Sequence, residues 1–368
     1  MHVLIISEDH GAMPALRSEV ADFGLDWKLH HAGEAVTALS LPLEQPIDVI
    51  LTDLHMGAHY GPSLLRQLQA HHPESVRILM LEGDQEPDAL QAMESAHRLL
   101  RKPLHTQALV DAIDSVGELR ELLDNPALKQ TVGRVGNLPP PPKLFLQINQ
   151  MMQDPETGAA DIATLLAQDP AMAAKVLRLC NSAYFTSGRA VADVRSAVTR
   201  LGLQTVRRLV LASEAFSGGQ LPPGIDREAL QDRALRTSRL AGQLLGNASA
   251  ELAATAGLLA EVGMLLPGIS IPTPEGGDLG DPDGPHYAEA GAYLLGLWGL
   301  PMPIVEAVAN HLQPERVRSV GFWVTGALHV ASCLVTGRAM DETYLRMNNQ
   351  LERVPEWRRL AERIAAAA

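Results

Sequence analysis

The chain has 368 residues and 39.6 kDa, 46% hydrophobic and 20% charged, with a mean hydropathy of +0.01; this excludes a disordered chain or a small disulfide-stapled module and leaves room for two or three globular units. Cys180 and Cys333 lie far apart in apolar, helix-like surroundings, as in a reduced cytoplasmic protein, and aromatic residues at 4% leave the core to Leu, Val, Ile, Ala and Met. The net charge of −13 is concentrated, because residues 1–125 hold 8 Lys+Arg against 20 Asp+Glu and residues 126–368 hold 22 against 23. That acidic first third, with no basic stripe after it, excludes an ordinary electrostatic nucleic-acid binder.

The opening apolar run His2 to Ile6 is too short for a secretory signal and runs at once into Ser7-Glu8-Asp9. The longest apolar stretches, Leu252 to Leu266 and Phe322 to Val335, fall short of a membrane span and read as buried helices. A cytoplasmic protein with no membrane partner is the expectation.

The first 120 residues alternate short apolar runs with longer amphipathic ones. Strands are expected at Val3–Ile6, Trp27–His30, Ile47–Leu51, Ile78–Leu81 and Arg98–Leu100, and helices at Pro14–Phe23, Gly33–Leu39, Pro62–His71, Pro87–Ser95 and Thr106–Leu123. Five such units predict an α/β flavodoxin-like doubly wound domain over 1–122, with its working groups at the carboxyl ends of the strands. Residues 123–142 read as a helix end and a linker, stiff from Gly133 to Pro142, where four consecutive prolines forbid a helix.

From 143 to 360 the pattern is helical, and an all-α unit is expected. Its first part, 143–216, has apolar spacing over Leu144–Met152, Asp161–Ala167, Pro170–Asn181, Val191–Leu201 and Gln204–Phe216; a second part spans 227–360. Between Pro267 and Pro285 lie five Gly, five Pro and four acidic residues, a long loop of the functional or disordered kind. Arg207 and Arg208 read as solvated surface residues, and Met264, Met302 and Met340 as fillers of core gaps.

Asp53 closes the third strand and Glu8 and Asp9 the first, so parallel neighbours bring their carboxylates together. Such a set can hold Mg²⁺, a hard ion that keeps water and phosphate oxygens as its other ligands. Lys102, before Pro103, comes from the end of the last strand, where its ammonium can pair with a phosphoryl group on Asp53. Any one of these residues alone is as a rule a solvated loop residue; the constellation in sheet order carries the argument. Ten of the thirteen histidines fall in residues 1–105, including His55 and His59 and the pairs His30-His31 and His71-His72. Their spacing matches no helical metal motif, and they read as surface imidazoles.

Residues 1–120 resemble the receiver domain of two-component response regulators. The resemblance implies Asp53 as phosphoacceptor, Glu8 in the acidic Mg²⁺ pair, Lys102 as the phosphoryl-sensing residue and a histidine kinase as phosphodonor. Two positions depart from the pattern. Ser7 stands where the first acidic residue is usual, with Asp9 able to substitute if the turn shifts by one. The usual hydroxyl residue of the fourth strand is Leu81 or Glu82, according to the alignment, and neither donates a hydroxyl hydrogen bond.

Residues 135–360, and above all Asp161–Phe185 and Val194–Ala215, resemble the HDOD domain, a helical signalling module related to HD phosphohydrolases. In those enzymes an adjacent His-Asp pair and further histidines hold the metal that activates water. Here Ala260 and Glu261 occupy the His-Asp positions, the helix Leu230–Leu245 has no histidine, and only His286 and His311 remain at family positions, with His329 in an apolar helix. The expectation is a non-catalytic output module without a cofactor, acting on an unidentified protein partner and compatible with a homodimer, with Thr106–Gly136 as the transmission element. Two alternatives stand beside it: a metal-dependent phosphodiesterase of nucleotides or cyclic dinucleotides, and a pseudo-receiver that serves only docking or dimerisation.

Overall fold

The computed structural model describes residues 1–9, 11–41, 46–57, 59–82, 95–102, 106–134, 143–168, 172–173, 176, 193–215, 224–273, 276–317 and 321–366. The chain divides into two compact units, Met1–Pro141 with Tyr293–Met302, and Pro142–Ala292 with Pro303–Ala368.

The first unit is built on five parallel strands, β1 (His2–Ile6), β2 (Lys28–Ala32), β3 (Val49–Asp53), β6 (Val76–Leu81) and β7 (Arg98–Arg101), in the order β2-β1-β3-β6-β7. Central β3 and β6 are buried at every position, as continuous apolar runs in a parallel sheet must be. Helices Ala12–Asp22, Ala35–Ser40, Gly61–His71 and Thr106–Leu122 supply the connections, and Leu4, Ile6, Ile50, Leu65, Leu68 and Leu79 pack into one core cluster. This is the doubly wound α/β arrangement. The helix expected at Pro87–Ser95 falls outside the described residues except at Ser95. Not anticipated was a small hairpin after β3, in which β4 (His55–Met56) pairs antiparallel with β5 (His59–Tyr60) and Gly57 turns the chain at φ 55°.

Beyond the sheet, Thr106–Leu122 is followed by a second helix, Pro126–Arg134. Asn125 starts it, its Oδ1 accepting the backbone N–H groups of Ala127 (3.0 Å) and Leu128 (3.3 Å), with Pro126 in the first turn, where a missing N–H costs nothing. The helix runs through Gly133, so the expected linker starts later than its composition suggests; 135–142 lie outside the described residues.

The second unit is helical. Lys143–Met151, Ala159–Leu166, Val194–Leu201 and Leu203–Ala215 bury Leu144, Ile148, Ile162, Leu166, Val198 and Val206 in one cluster, joined by Met172 and Val176. Asp193 caps Val194–Leu201 by accepting the Ser196 N–H (2.8 Å), and Gly202 at φ 79° ends it. Cys180 and most of the run to Phe185 lie outside the described residues. The supposedly solvated arginines are half-buried cross-links instead: Arg208 pairs with Glu251, and Arg207 donates to Asn149 Oδ1 (3.4 Å). Their heads reach partners on other helices.

The remainder comprises Arg227–Leu244, Asn247–Leu259, the short turn Val262–Leu265, the helix Tyr287–Leu297 as far as Ala292, the helix Met302–Asn310 from Pro303 on, Val324–Thr336, Glu342–Met347 and Val354–Ala366. Trp357, fully buried, stacks on Phe322 at 5.3 Å between ring centroids. The Gly- and Pro-rich stretch before Tyr287 is ordered at its described residues. Ser270 bridges to His286 and Pro272 to Asp278, and the Asp278 carboxylate accepts the Ser270 hydroxyl (2.6 Å) and the N–H groups of Ile271 (2.8 Å) and Gly280 (2.7 Å). Among the described residues no helix is long and apolar enough to cross a membrane.

Candidate functional site

Parallel strands share one direction, so the residues that follow β1, β3, β6 and β7 emerge at one edge of the sheet. Asp53, the last residue of β3 and register partner of Met80, is only 8% exposed. Both of its carboxylate oxygens are engaged. The Lys102 ammonium lies 2.7 Å from Oδ1, and the buried Ser7 hydroxyl donates to Oδ2 across 2.7 Å, a length typical of a charge-assisted bond. Lys102 is aligned by its own backbone, whose N–H donates to the Leu81 carbonyl (2.7 Å) as a continuation of the β6–β7 ladder.

A pocket of about 240 Å³ opens over this group, lined by Glu8, Asp9, Asp53, His55, Met80, Glu82 and Lys102, among others. Strand alternation settles the ambiguous position at the end of β6: Leu81 joins the apolar core while Met80 and Glu82 face the pocket. Asp9 reaches the pocket but ties its Oδ1 to the N–H of Gly11 (2.9 Å). Glu8 is fixed near the hairpin turn, since a Cβ on Gly57 would lie 3.3 Å from Glu8 Oε1. Gly61 lets the next helix start directly against Asp53, for a Cβ there would overlap the Asp53 carbonyl oxygen.

These residues suit a hard, water-rich cation better than a caged one. Glu8 and Asp53 offer carboxylate oxygens in a pocket with room for waters, whereas among the described residues no three His, Cys, Asp or Glu side chains are arranged to hold a metal alone. Several of the described histidines serve local contacts. His2 and His30 stack at 5.4 Å with ring nitrogens 3.2 Å apart, His31 Nε2 lies 2.9 Å from the Ser7 carbonyl oxygen, and His71 Nδ1 bonds the Gln67 carbonyl (3.1 Å). Burial pulls His30 and His72 below the usual imidazole range.

In the second unit the positions singled out from sequence surround one polar centre. Ala260 is buried and offers no donor, while the neighbouring Glu261 carboxylate accepts the Arg233 Nε–H (3.1 Å). Arg338 donates to the Tyr287 hydroxyl (3.2 Å), and the Tyr287 ring packs against His286 (4.6 Å) and edge-on to His311 (6.3 Å). His311 is fully buried, and its Nδ1–H donates to the Val308 carbonyl (2.8 Å). Desolvation drives its imidazole down to about 4, so it is neutral near pH 7. His286 Nδ1 accepts the Ala288 N–H (3.1 Å), and His329 joins the His311 carbonyl to the Asp341 N–H (2.8 and 2.9 Å). Burial raises the Cys333 thiol to about 11 and leaves it a packing residue, not a nucleophile. An arginine on the helix Arg227–Leu244 thus supplies a positive charge to this carboxylate. Arg233 carried no motif by which sequence could single it out.

Residues 3–114 match the response regulator receiver domain and residues 138–271 the HDOD domain. The chain joins a receiver domain to an HDOD domain. A curated relative, an uncharacterized protein of Treponema pallidum (strain Nichols), is 28% identical over 201 residues, 48% of this chain, and the match spans 38% of that protein's length. Among solved structures, an HDOD domain protein of unknown function from Geobacter sulfurreducens is 20% identical, with 65% of this chain and 97% of that one covered and a TM-score of 0.49. The signal receiver domain of an HD domain-containing protein from Pseudomonas fluorescens Pf-5 is 24% identical, over 33% of this chain and 88% of that one, with a TM-score of 0.29.

Proposed function

We propose that the protein is a response regulator in which Asp53 accepts a phosphoryl group from a histidine kinase and the HDOD domain carries the output without hydrolytic chemistry, by binding a protein partner. The observation that supports this most directly is the Asp53–Lys102 ion pair at the floor of an acidic, solvent-reaching pocket. An Asp53 carboxylate oxygen attacks the phosphorus of a phosphohistidine; the O–P bond forms, the P–N bond breaks, and the electron pair returns to the imidazole nitrogen, which takes up a proton. Lys102 balances the added charge on the phosphoryl oxygens. Mg²⁺, held by Glu8 and Asp53 with Asp9 at the rim, would neutralise further charge when bound. The non-hydrolytic output is supported by the Ala260 and Glu261–Arg233 arrangement, in which the only acidic side chain of the pair is already neutralised.

The test is intact-mass analysis of the full chain with acetyl phosphate and Mg²⁺. Wild type gains one phosphoryl group and Asp53→Asn does not. A pseudo-receiver is the second reading, favoured by the Glu82 carboxylate facing the pocket, and an unmodified wild type would establish it. Cleavage of a chromogenic phosphodiester, lost in His311→Ala, would establish the phosphodiesterase alternative instead; no cleavage is expected.

A further inference from the structure

We propose that Ser7 is the positioning residue of the Asp53 site, and that its hydroxyl passes the state of Asp53 to the edge strand β2. This rests on Asp53 being the phosphoacceptor. Every polar atom of Ser7 is committed. Its Oγ–H donates to Asp53 Oδ2 (2.7 Å), Oγ accepts the Asp9 N–H (3.2 Å), its own N–H donates to the Ala32 carbonyl (3.1 Å), and its carbonyl accepts from His31 Nε2 (2.9 Å). Two of these four links lead to Asp53 and the turn carrying Glu8 and Asp9, and the other two lead to adjacent residues of β2 or its end.

The chemistry at Asp53 acts on this node. When a phosphodonor gives up its phosphoryl group, one Asp53 oxygen becomes bonded to phosphorus and the carboxylate charge moves to the phosphoryl oxygens. A neutral acyl oxygen accepts a hydrogen bond about half as strongly as a carboxylate oxygen, so the hydroxyl gains by turning to a phosphoryl oxygen. Ser7 is buried and tethered at its backbone, so turning shifts the Asp9 turn or strains the Ala32 and His31 links. On the far side of the pocket Glu82 has only acceptor oxygens and repels a phosphoryl group. The site therefore has a hydrogen-bond donor that can follow the phosphoryl group at the β1 end and a repelling carboxylate at the β6 end, and the response runs toward β2.

Hydrogen exchange by mass spectrometry on the full chain, with and without beryllofluoride and Mg²⁺, tests this in wild type, Ser7→Ala and Ser7→Thr, with thermal melting to verify folding. In wild type, beryllofluoride changes exchange in peptides covering 2–9 and 28–32. Compared at saturating beryllofluoride, Ser7→Ala loses at least half of the change at 28–32, and Ser7→Thr, which keeps the hydroxyl, retains it. An alanine variant that responds at 28–32 like wild type overturns the role of Ser7 while leaving Asp53 as acceptor. If wild type neither binds beryllofluoride nor takes a phosphoryl group from acetyl phosphate, the acceptor reading itself falls, and this one with it.

Discussion

Arg233 holds the Glu261 carboxylate through its Nε hydrogen at 3.1 Å, with the acid nearly buried and the guanidinium about a third exposed. The positive charge beside this carboxylate comes from the chain itself. Glu261→Ala removes the acceptor and leaves a half-desolvated guanidinium; discounted for the exposure of Arg233, the cost is about 1–2 kcal/mol. Urea unfolding measures it. The same denaturation run with a chelator should superimpose on the untreated curve, and a chelator-dependent midpoint would contradict this account of the centre.

Gly61→Ala probes the other unit. Its new methyl group would overlap the Asp53 carbonyl oxygen, a backbone atom that cannot swing aside. The helix Gly61–His71 must shift, at a cost of about 1–3 kcal/mol. Because the collision is with Asp53 itself, phosphoryl uptake should slow together with the loss in melting temperature. A variant that melts like wild type would contradict a close approach of residue 61 to the Asp53 carbonyl.

Lys102→Met removes the ammonium that pairs with Asp53 while retaining a similar apolar stem. Acetyl phosphate labelling of the full chain should fall at least about tenfold, equivalent to about 1.4 kcal/mol in the barrier. Lys102→Arg should not restore it fully, because a planar fork cannot replace a compact point charge at 2.7 Å. Equal labelling rates in all three proteins would remove Lys102 from the chemistry.

Acid should destabilise the second unit through His311. Its folded imidazole titrates near 4, against 6.5 in an unfolded chain, so between those values the unfolded state binds a proton that the folded state does not. Stability contributed by the neutral ring is intact above pH 6.5, falls by about 3 kcal/mol on going down to pH 4, and changes no further below that. His286 and His329, also lowered by burial, act in the same direction. Denaturation curves from pH 7.5 to 4.5 should slope less steeply in His311→Gln than in wild type.

Much of the architecture was legible because it rests on periodicity. The buried central strands come from apolar runs rich in Val, Ile and Leu, and Thr106–Leu122 from apolar spacing at three and four residues. Positions set by strand direction, such as Asp53 and Lys102 at one sheet edge, could also be anticipated. What remained hidden depends on contacts between distant residues. No local pattern announces that Ser7 bonds Asp53, that Gly61 must be a glycine, or that Arg233 on one helix meets Glu261 after another. The hairpin at His55–Tyr60 escaped because two-residue strands are shorter than any period. Arg207 and Arg208 depart from the solvated reading because charge in a sequence does not report exposure: a half-buried guanidinium can reach a partner on another helix.

The stretch from Gly268 to His286 has the composition of a protease-sensitive tether, yet one carboxylate, that of Asp278, gathers a hydroxyl and two backbone amides from both of its arms. That side chain works beside backbone links such as Asp281 N–H to the Ile269 carbonyl (2.7 Å) and Leu279 N–H to the Ile271 carbonyl (3.1 Å). Under limited digestion Asp278→Ala should be nicked here well before wild type, turning a resistant segment into the first cut.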